Sequence, residues 1–366
     1  MKRIVFHLNC LERGGAERVV TNLSGQFAEH GYEVYIATEW QGEDEYEIDS
    51  RVKRVHVGLT EEQEKRGRAS MFLARISNLR KFLLEVQPDI VIAFARKANY
   101  RALTATIGTK IPVIISVRIA PVGCYDHLTD KIQIPILFPR ASGCVFQTPE
   151  QKEFFPKYVQ DKSRIILNAI NPKFIGNPFP EYREKSVVHS GRIVDFKNQR
   201  MLIRAFEEVH EKHPEYVLKI FGQNTFDGTW EQLEAQIEEN KAGDYVKLMG
   251  GSNQLEKDMI HGAVAAFSSD VEGMPNAMLE AMALGLPVVA TDCPPGGPRM
   301  VITSEENGLL VPVGDEKALA AAINRLIENP ALAEKLGRNA AEIGKKAGAE
   351  MIFREWEEYI NEICDK

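Results

Sequence analysis

Cysteine is scarce and scattered: five residues in 366, at positions 10, 124, 144, 293 and 364, with no CxxC pair. An odd, unclustered set excludes a disulfide framework and offers no zinc-ligand spacing; it suits a reducing compartment. No run of about 18 apolar residues occurs, so no membrane-spanning helix is expected. The first ten residues, MKRIVFHLNC, carry too short an apolar run for a signal peptide and read as a first buried strand. The glycine loop that follows reads Gly14-Gly15-Ala16-Glu17-Arg18, not GxGxxG, so the nicotinamide fingerprint is missing. An excess of positive charge is missing too: the net charge is −7. Residues 1–178 hold 25 Lys and Arg against 20 Asp and Glu (+5), and residues 179–366 hold 20 against 32 (−12). The acidic second half excludes a nucleic-acid binder, while the mildly basic first half could face an anionic acceptor or membrane surface.

What is present is an alternation. Short apolar runs at residues 4–8, 33–37, 52–57, 88–94, 113–117, 144–147 and 164–168 read as strands of a first half. A linker rich in proline follows, with Pro172, Gly176, Pro178 and Pro180. The pattern then resumes at residues 186–190, 216–221, 246–249, 263–268, 287–291 and 308–311. Helical spacing separates most of these runs, and no internal repeat appears. The fold class is therefore α/β, with two doubly wound domains and a cleft between them. The boundaries read as residues 1–175 for the first and 181–348 for the second. Residues 65–84 form a helix with Phe72, Ile76, Leu79 and Leu83 aligned, carrying six basic residues and no acid. Its Arg68 and Arg75 share a face, read either as a solvated surface or as contacts for a phosphorylated acceptor or anionic head groups. Residues 132–138, IQIPILF, are either core or a surface that meets lipid.

The stretch DVEGMPNAMLEAMALG, residues 270–285, concentrates the chemistry. Glu272 and Glu280 stand eight apart, around a turn with Gly273, Met274, Pro275 and Asn276, and Pro275 suits the first position of a helix. A helix start favours a bound phosphate, and two carboxylates beside it accept from sugar or ribose hydroxyls. In the same half, Arg192 and Lys197 flank a strand-to-helix turn. Arginine offers a rigid fork to a diphosphate and lysine a mobile point charge. Together these groups suit a nucleoside diphosphate sugar. No DxD triplet occurs, the nearest being Asp270-Val271-Glu272, so no metal is required and the two cations would neutralise the diphosphate. Gly14 and Gly15 read either as a tight turn needing positive φ or as a place of close backbone approach to a ligand phosphate.

Over nearly its whole length the sequence resembles glycosyltransferase family 4, retaining enzymes of the GT-B fold. The resemblance rests on Gly14-Gly15-Ala16-Glu17, on Gly191-Arg192 with Lys197-Asn198, and on Ser269 to Pro275 followed by Glu280 and Gly285. It implies that Arg192 and Lys197 hold the donor diphosphate, that Glu272 contacts the transferred sugar, and that Glu280 binds the ribose. It further implies a donor site completed by Gly15, Gly273, Met274, Pro275 and Asn276, with the base read near Ser252. The helix at residues 351–366 would return to the first, acceptor-binding domain. Many members carry a histidine where this chain has Arg118, after Ser116-Val117. Arginine stays protonated and cannot act as a base, so Arg118 is assigned with Gly14, Arg68 and Arg75 to acceptor binding, or else to the donor phosphate.

The resulting expectation is a cytoplasmic glycosyltransferase, placed peripherally at the inner membrane face. It would move sugar from a UDP-hexose or UDP-N-acetylhexosamine to a sugar or lipid-linked glycan by front-face substitution, without cofactor or metal. A sugar-nucleotide epimerase of the same build is the alternative, with His7 and His189 as candidate acid/base groups. A two-domain solute-binding protein is a third reading, opposed by the lack of a signal peptide and by the cationic site. Oligomeric state is left open.

Overall fold

Every one of the thirteen short apolar runs is a strand, and every strand pairing is parallel. Parallel strands covered on both faces need continuous apolar sequence, which is why the central segments read as Val, Ile and Ala runs, whereas the edge strands Lys53–His56 and Ser163–Ile165 carry charged residues. The computed structural model describes residues 2–12 and 14–365. Met1, Lys366 and Arg13 of the glycine loop lie outside the described residues. The chain divides into two units, residues 1–169 with 350–366, and residues 170–349.

The first unit contains Arg3–Leu8 (β1), Glu33–Thr38 (β2), Lys53–His56 (β3), Ile90–Phe94 (β4), Val113–Ser116 (β5), Gly143–Phe146 (β6) and Ser163–Ile165 (β7). Their order in the sheet is β3-β2-β1-β4-β5-β6-β7. One face is covered by the helices Gly15–Glu29 and Ala349–Cys364, which share a core cluster containing Phe6, Phe27, Phe94, Phe353 and Trp356. The opposite face carries Arg68–Val86, Arg96–Ala105 and Leu128–Leu137. Gly143 admits the C-terminal helix: a Cβ there would stand 2.4 Å from the Tyr359 hydroxyl. That hydroxyl donates to the Lys162 carbonyl at 2.6 Å and accepts from the Cys144 amide at 3.0 Å.

The second unit contains Glu184–Ser190 (β8), Val217–Phe221 (β9), Val246–Gly250 (β10), Gly262–Phe267 (β11), Val288–Thr291 (β12) and Leu309–Val311 (β13), in the order β10-β9-β8-β11-β12-β13. Its core joins Leu202, Phe206 and Val209 of the helix Gln199–Lys212 to Leu319 and Ile323 of the helix Glu316–Glu328.

Several local expectations are corrected. The stretch containing IQIPILF belongs to the helix Leu128–Leu137, with Pro135 inside it. It is both core and surface: Ile134 and Phe138 are buried, Ile132 and Ile136 exposed. The helix Arg96–Ala105 buries Ala98, Ala102, Leu103 and Ala105, a side written mostly in alanine. Phe72 is exposed although aligned with buried Leu79 and Leu83, because the helix Arg68–Val86 leaves the sheet at its N-terminal end. Residues 330–346 form two helices, Pro330–Ala341 and Ile343–Lys346.

Trp356 is fully buried, 5.9 Å from Phe94 between ring centroids, and its indole N–H has no hydrogen-bond partner. Trp356→Ala is expected to destabilise the protein by about 3–5 kcal/mol. Trp356→Phe should lose less, since no hydrogen bond is given up; urea unfolding followed by circular dichroism compares the two.

Candidate active site

In the second unit the chain runs outward from β8 to β10, then returns to β11 and runs outward the other way. The carboxyl ends of β8 and β11 therefore frame a topological switch point, where open parallel sheets take their ligands. The loop after β8 carries Arg192 and Lys197, and the loop after β11 carries Glu272. Two strands distant in sequence thus deliver the predicted cations and carboxylate to one place.

The contacts between these loops are direct. Lys197 Nζ pairs with Glu272 Oε1, and both side chains are largely buried, at 12% and 11% exposure. The Ser269 hydroxyl donates to the same Glu272 oxygen at 3.2 Å. Ser268 donates to the Lys197 carbonyl at 3.0 Å, and the Asp270 amide to the Phe196 carbonyl at 2.8 Å. Asn198 takes a left-handed conformation, φ 49°, which lets its side chain cap the next helix through the Met201 amide. Its Nδ2 also donates to Asp270 Oδ1 at 2.9 Å. Arg192 is exposed, and its side chain meets no acidic partner among the described residues.

The loop at 272–275 is supported from behind. The Glu272 amide donates to the Pro294 carbonyl at 2.9 Å. Gly297 touches the Gly273 carbonyl so closely that a Cβ would stand 2.1 Å from it. Pro275 is the N-cap of the helix Asn276–Ala283, one position before the helical start expected for it. The amides of Met278 and Leu279 both donate to its carbonyl, at 3.0 and 3.1 Å. Glu280 lies in the second turn of that helix and is 3% exposed. Ser252 sits apart, after β10: its hydroxyl pairs with Asp258 and accepts from the Gln254 amide at 3.1 Å. A concavity of about 690 Å³ lies there, lined by Ser252, Gly251, Phe221 and Met249 among others. A larger one, about 960 Å³, runs along β10 and reaches none of the candidate residues. No group of three or more His, Cys, Asp or Glu side chains among the described residues is placed to hold a metal ion.

The first unit has its switch point between β1 and β4. Gly14 follows β1 with φ −121° and is the N-cap of the helix that begins at Gly15. Neither glycine has positive φ, so the need for a left-handed turn does not account for them. Arg75 does not pair with Arg68 in an exposed patch. Arg68 is exposed at the helix start, whereas Arg75 lies 3.2 Å from buried Glu39, which Arg101 also pairs. Arg118 is held by Ser116 Oγ at 2.7 Å and Asn168 Oδ1 at 2.8 Å, between the rings of Phe94 and Trp356. Burial lowers its pKa to about 9, which leaves it charged at neutral pH. Its Nη2 is buried without a partner.

Residues 174–343 match the family described as Glycosyl transferases group 1, and residues 13–174 match Glycosyltransferase Family 4. The chain belongs to these glycosyltransferases. An uncharacterized glycosyltransferase of Haemophilus influenzae is 22% identical, over 97% of this chain and 99% of that protein. A Campylobacter jejuni enzyme, GalNAc-alpha-(1->4)-GalNAc-alpha-(1->3)-diNAcBac-PP-undecaprenol alpha-1,4-N-acetyl-D-galactosaminyltransferase, is 24% identical over 99% of both chains. Among solved structures, Anabaena HepE in complex with UDP and glucose superposes with a TM-score of 0.82 at 17% identity, covering 99% of this chain and 100% of that one. Sucrose-phosphate synthase from Thermosynechococcus elongatus gives 0.83 at 19% identity, covering 99% of each. These likenesses confirm the GT-B fold.

In this glycosyltransferase the two histidines proposed as acid/base groups are structural. His7 and His189 are each the penultimate residue of the first strand of their sheet, and both are fully buried. Each donates from Nδ1 to a carbonyl of the adjacent strand, Ala37 at 3.0 Å and Ala266 at 2.8 Å. Sequence reading named Ser269 and Asn198 only as motif residues, without a supporting role, and left out Gly297. The Ser269-x-x-Glu272 spacing was the available signal for the first, whereas the contact of Gly297 with Gly273 joins loops that no local pattern connects.

Burial lowers both histidines from the ordinary 6.5 to about 4. Between those values the unfolded chain binds protons that the folded enzyme does not. Stability present above pH 6.5 is therefore lost as pH falls towards 4, by up to about 3 kcal/mol for each histidine. His189→Asn keeps a donor without the titration, and its melting temperature should fall less steeply from pH 6.5 to 4.5 than that of the parent. Equal slopes would refute the assignment.

Proposed function

We propose that this glycosyltransferase takes sugar from a UDP-sugar and transfers it, with retention at the anomeric carbon, to a glycan acceptor carried on a lipid diphosphate. The observation that carries the donor half is the meeting of Lys197 and Glu272 at the switch point, beside exposed Arg192. On donor binding, Lys197 exchanges Glu272 for the diphosphate, joined by the guanidinium of Arg192, and Glu272 is released to accept from a sugar hydroxyl. Gly273, Met274 and Asn276 have amides to offer to sugar and phosphate, and Pro275 has none. Glu280 takes the ribose hydroxyls, and the turn at Gly251 and Ser252 faces the base. Gly15, at the first turn of the helix Gly15–Glu29, is assigned to the donor as well. HepE was solved with UDP-glucose as well as with UDP, which supports a uridine donor.

In the reaction, an oxygen of the donor phosphate accepts the proton of the acceptor hydroxyl. On the same face of the ring, the bond from the anomeric carbon to phosphate breaks and the bond to the acceptor oxygen forms. The two cations stabilise the charge that develops on the departing diphosphate, so no metal is needed. The acceptor half draws on the Campylobacter relatives, whose names specify diphospho-undecaprenol-linked sugars. Gly14, Arg68 and the free nitrogen of Arg118 are assigned to that side; Arg75, held by Glu39, acts by keeping the region in place. No helix among the described residues is long and apolar enough to cross a membrane. A lipid-linked acceptor of this kind would place the enzyme peripherally at the inner membrane face.

Glu280→Ala should abolish UDP binding in calorimetry, and unchanged affinity would sink the ribose assignment. Lys197→Met should lower kcat by about 10²–10³-fold. EDTA should leave the parent rate unchanged, and a rate restored only by added Mn²⁺ would show that the cations do not suffice.

A further inference from the structure

We propose that the outer face of the helix Leu128–Leu137 docks on an anionic phospholipid bilayer. The proposal rests on the reading of the acceptor as lipid-linked and identifies the surface that would bring the enzyme to it. Leu128, Ile132 and Ile136 follow one another at four-residue intervals, so they form one stripe along the helix. They are 79%, 63% and 62% exposed. Single exposed apolar residues are ordinary on protein surfaces, but a contiguous stripe marks an interaction site.

The stripe cannot turn inward, because the opposite face of the helix is anchored. Asp130 is fully buried and takes a two-pronged contact from Arg96, with Nε and Nη2 each at 2.8 Å. The Tyr100 hydroxyl donates to the same carboxylate at 2.6 Å, and Asp130 also accepts from the His127 amide at 3.1 Å. Ile134 lies on this inner side and is buried. Arg96 and Tyr100 belong to the neighbouring helix of the same layer. The exposed Phe72 lies in a third helix of that layer.

Charge selects the occupant. Residues 65–140, which span the three helices, contain 13 Lys and Arg and four Asp and Glu, a net +9 within a chain of −7. Arg75, Arg96 and Arg101 are spent on internal carboxylates, but eight of the cations are exposed against three exposed acids. Lys131 sits within the stripe's own helix and Arg140 just beyond it. Two copies of such a surface repel each other, whereas an anionic bilayer supplies both the negative charge for the lysines and arginines and the apolar interior for the isoleucines.

The test is co-sedimentation of the full chain with vesicles of phosphatidylcholine alone or mixed with phosphatidylglycerol. Binding is expected to the mixed vesicles, to weaken with salt, and to fall by at least about tenfold in Ile132→Glu/Ile136→Glu. Both positions are exposed, so the double variant should keep the parent melting temperature and its rate on a short soluble acceptor. No binding to mixed vesicles, equal binding to the neutral ones, or full binding by the variant would overturn the proposal. So would a dimer in vesicle-free solution that the same substitutions dissociate, which would assign the stripe to a second copy. If the parent binds the mixed vesicles but transfers sugar to no acceptor, the functional reading fails and the docking face stands.

Discussion

Parallel alignment of every strand is the constraint on which the rest depends. In each sheet it sends all strand ends to one edge, so the loops that follow β8, β10, β11 and β12 gather there without further design. The reversal of direction at β8 and β11 then leaves a gap in the row of crossing helices. Residues 192–198 and 270–276 enter it from opposite sides. The Lys197–Glu272 pair is the point at which the two loops recognise each other. Its partners, Ser269, Asn198 and Asp270, tie the backbone on either side of it. The charged groups are therefore held by strands rather than by the loops alone.

The same plan is used twice, with different filling. At the switch point of the second unit the polar groups are a largely buried lysine–glutamate pair and an arginine left exposed. In the first unit the corresponding region buries its charges: Glu39 is taken by Arg101 and Arg75, and Arg118 is clamped by Ser116, Asn168 and two aromatic rings. A buried carboxylate shared by two arginines resists rearrangement, since separating any member strands a charge away from water. One unit thus presents an exposed arginine beside a single ion pair, and the other a stiff polar floor.

The central strands were legible because each is a short apolar run between turn residues, as a strand buried on both faces must be. The two loops that carry Arg192 with Lys197, and Glu272, were legible because each is a single strand-to-helix connection marked by turn residues. What escaped was of two kinds. The helix Leu128–Leu137 was hidden by Pro135, whose lost hydrogen bond the surrounding packing tolerates, and by an apolar outer face that breaks the usual inside-outside pattern. The helix Arg96–Ala105 opens with two basic residues and depends on its neighbours more than on its own periodicity. The fate of Arg75 depended on Glu39, which lies on another element, and spacing along one helix carries no information about that.

The core of the first unit is finished by the helix Ala349–Cys364, through Phe353, Trp356 and Ile360. In the sequence, all of the second unit is translated before that helix. During synthesis the ribosome therefore releases seven strands with one face covered only by the helix Gly15–Glu29, its second cover missing while an entire second sheet is being made. The early half must wait, collapsed but unsealed, for a segment translated long afterwards. Stretches such as those containing Phe6, Phe27 and Phe94 are then natural clients for holding chaperones, and the order in which the two halves mature runs opposite to the order in which they are born.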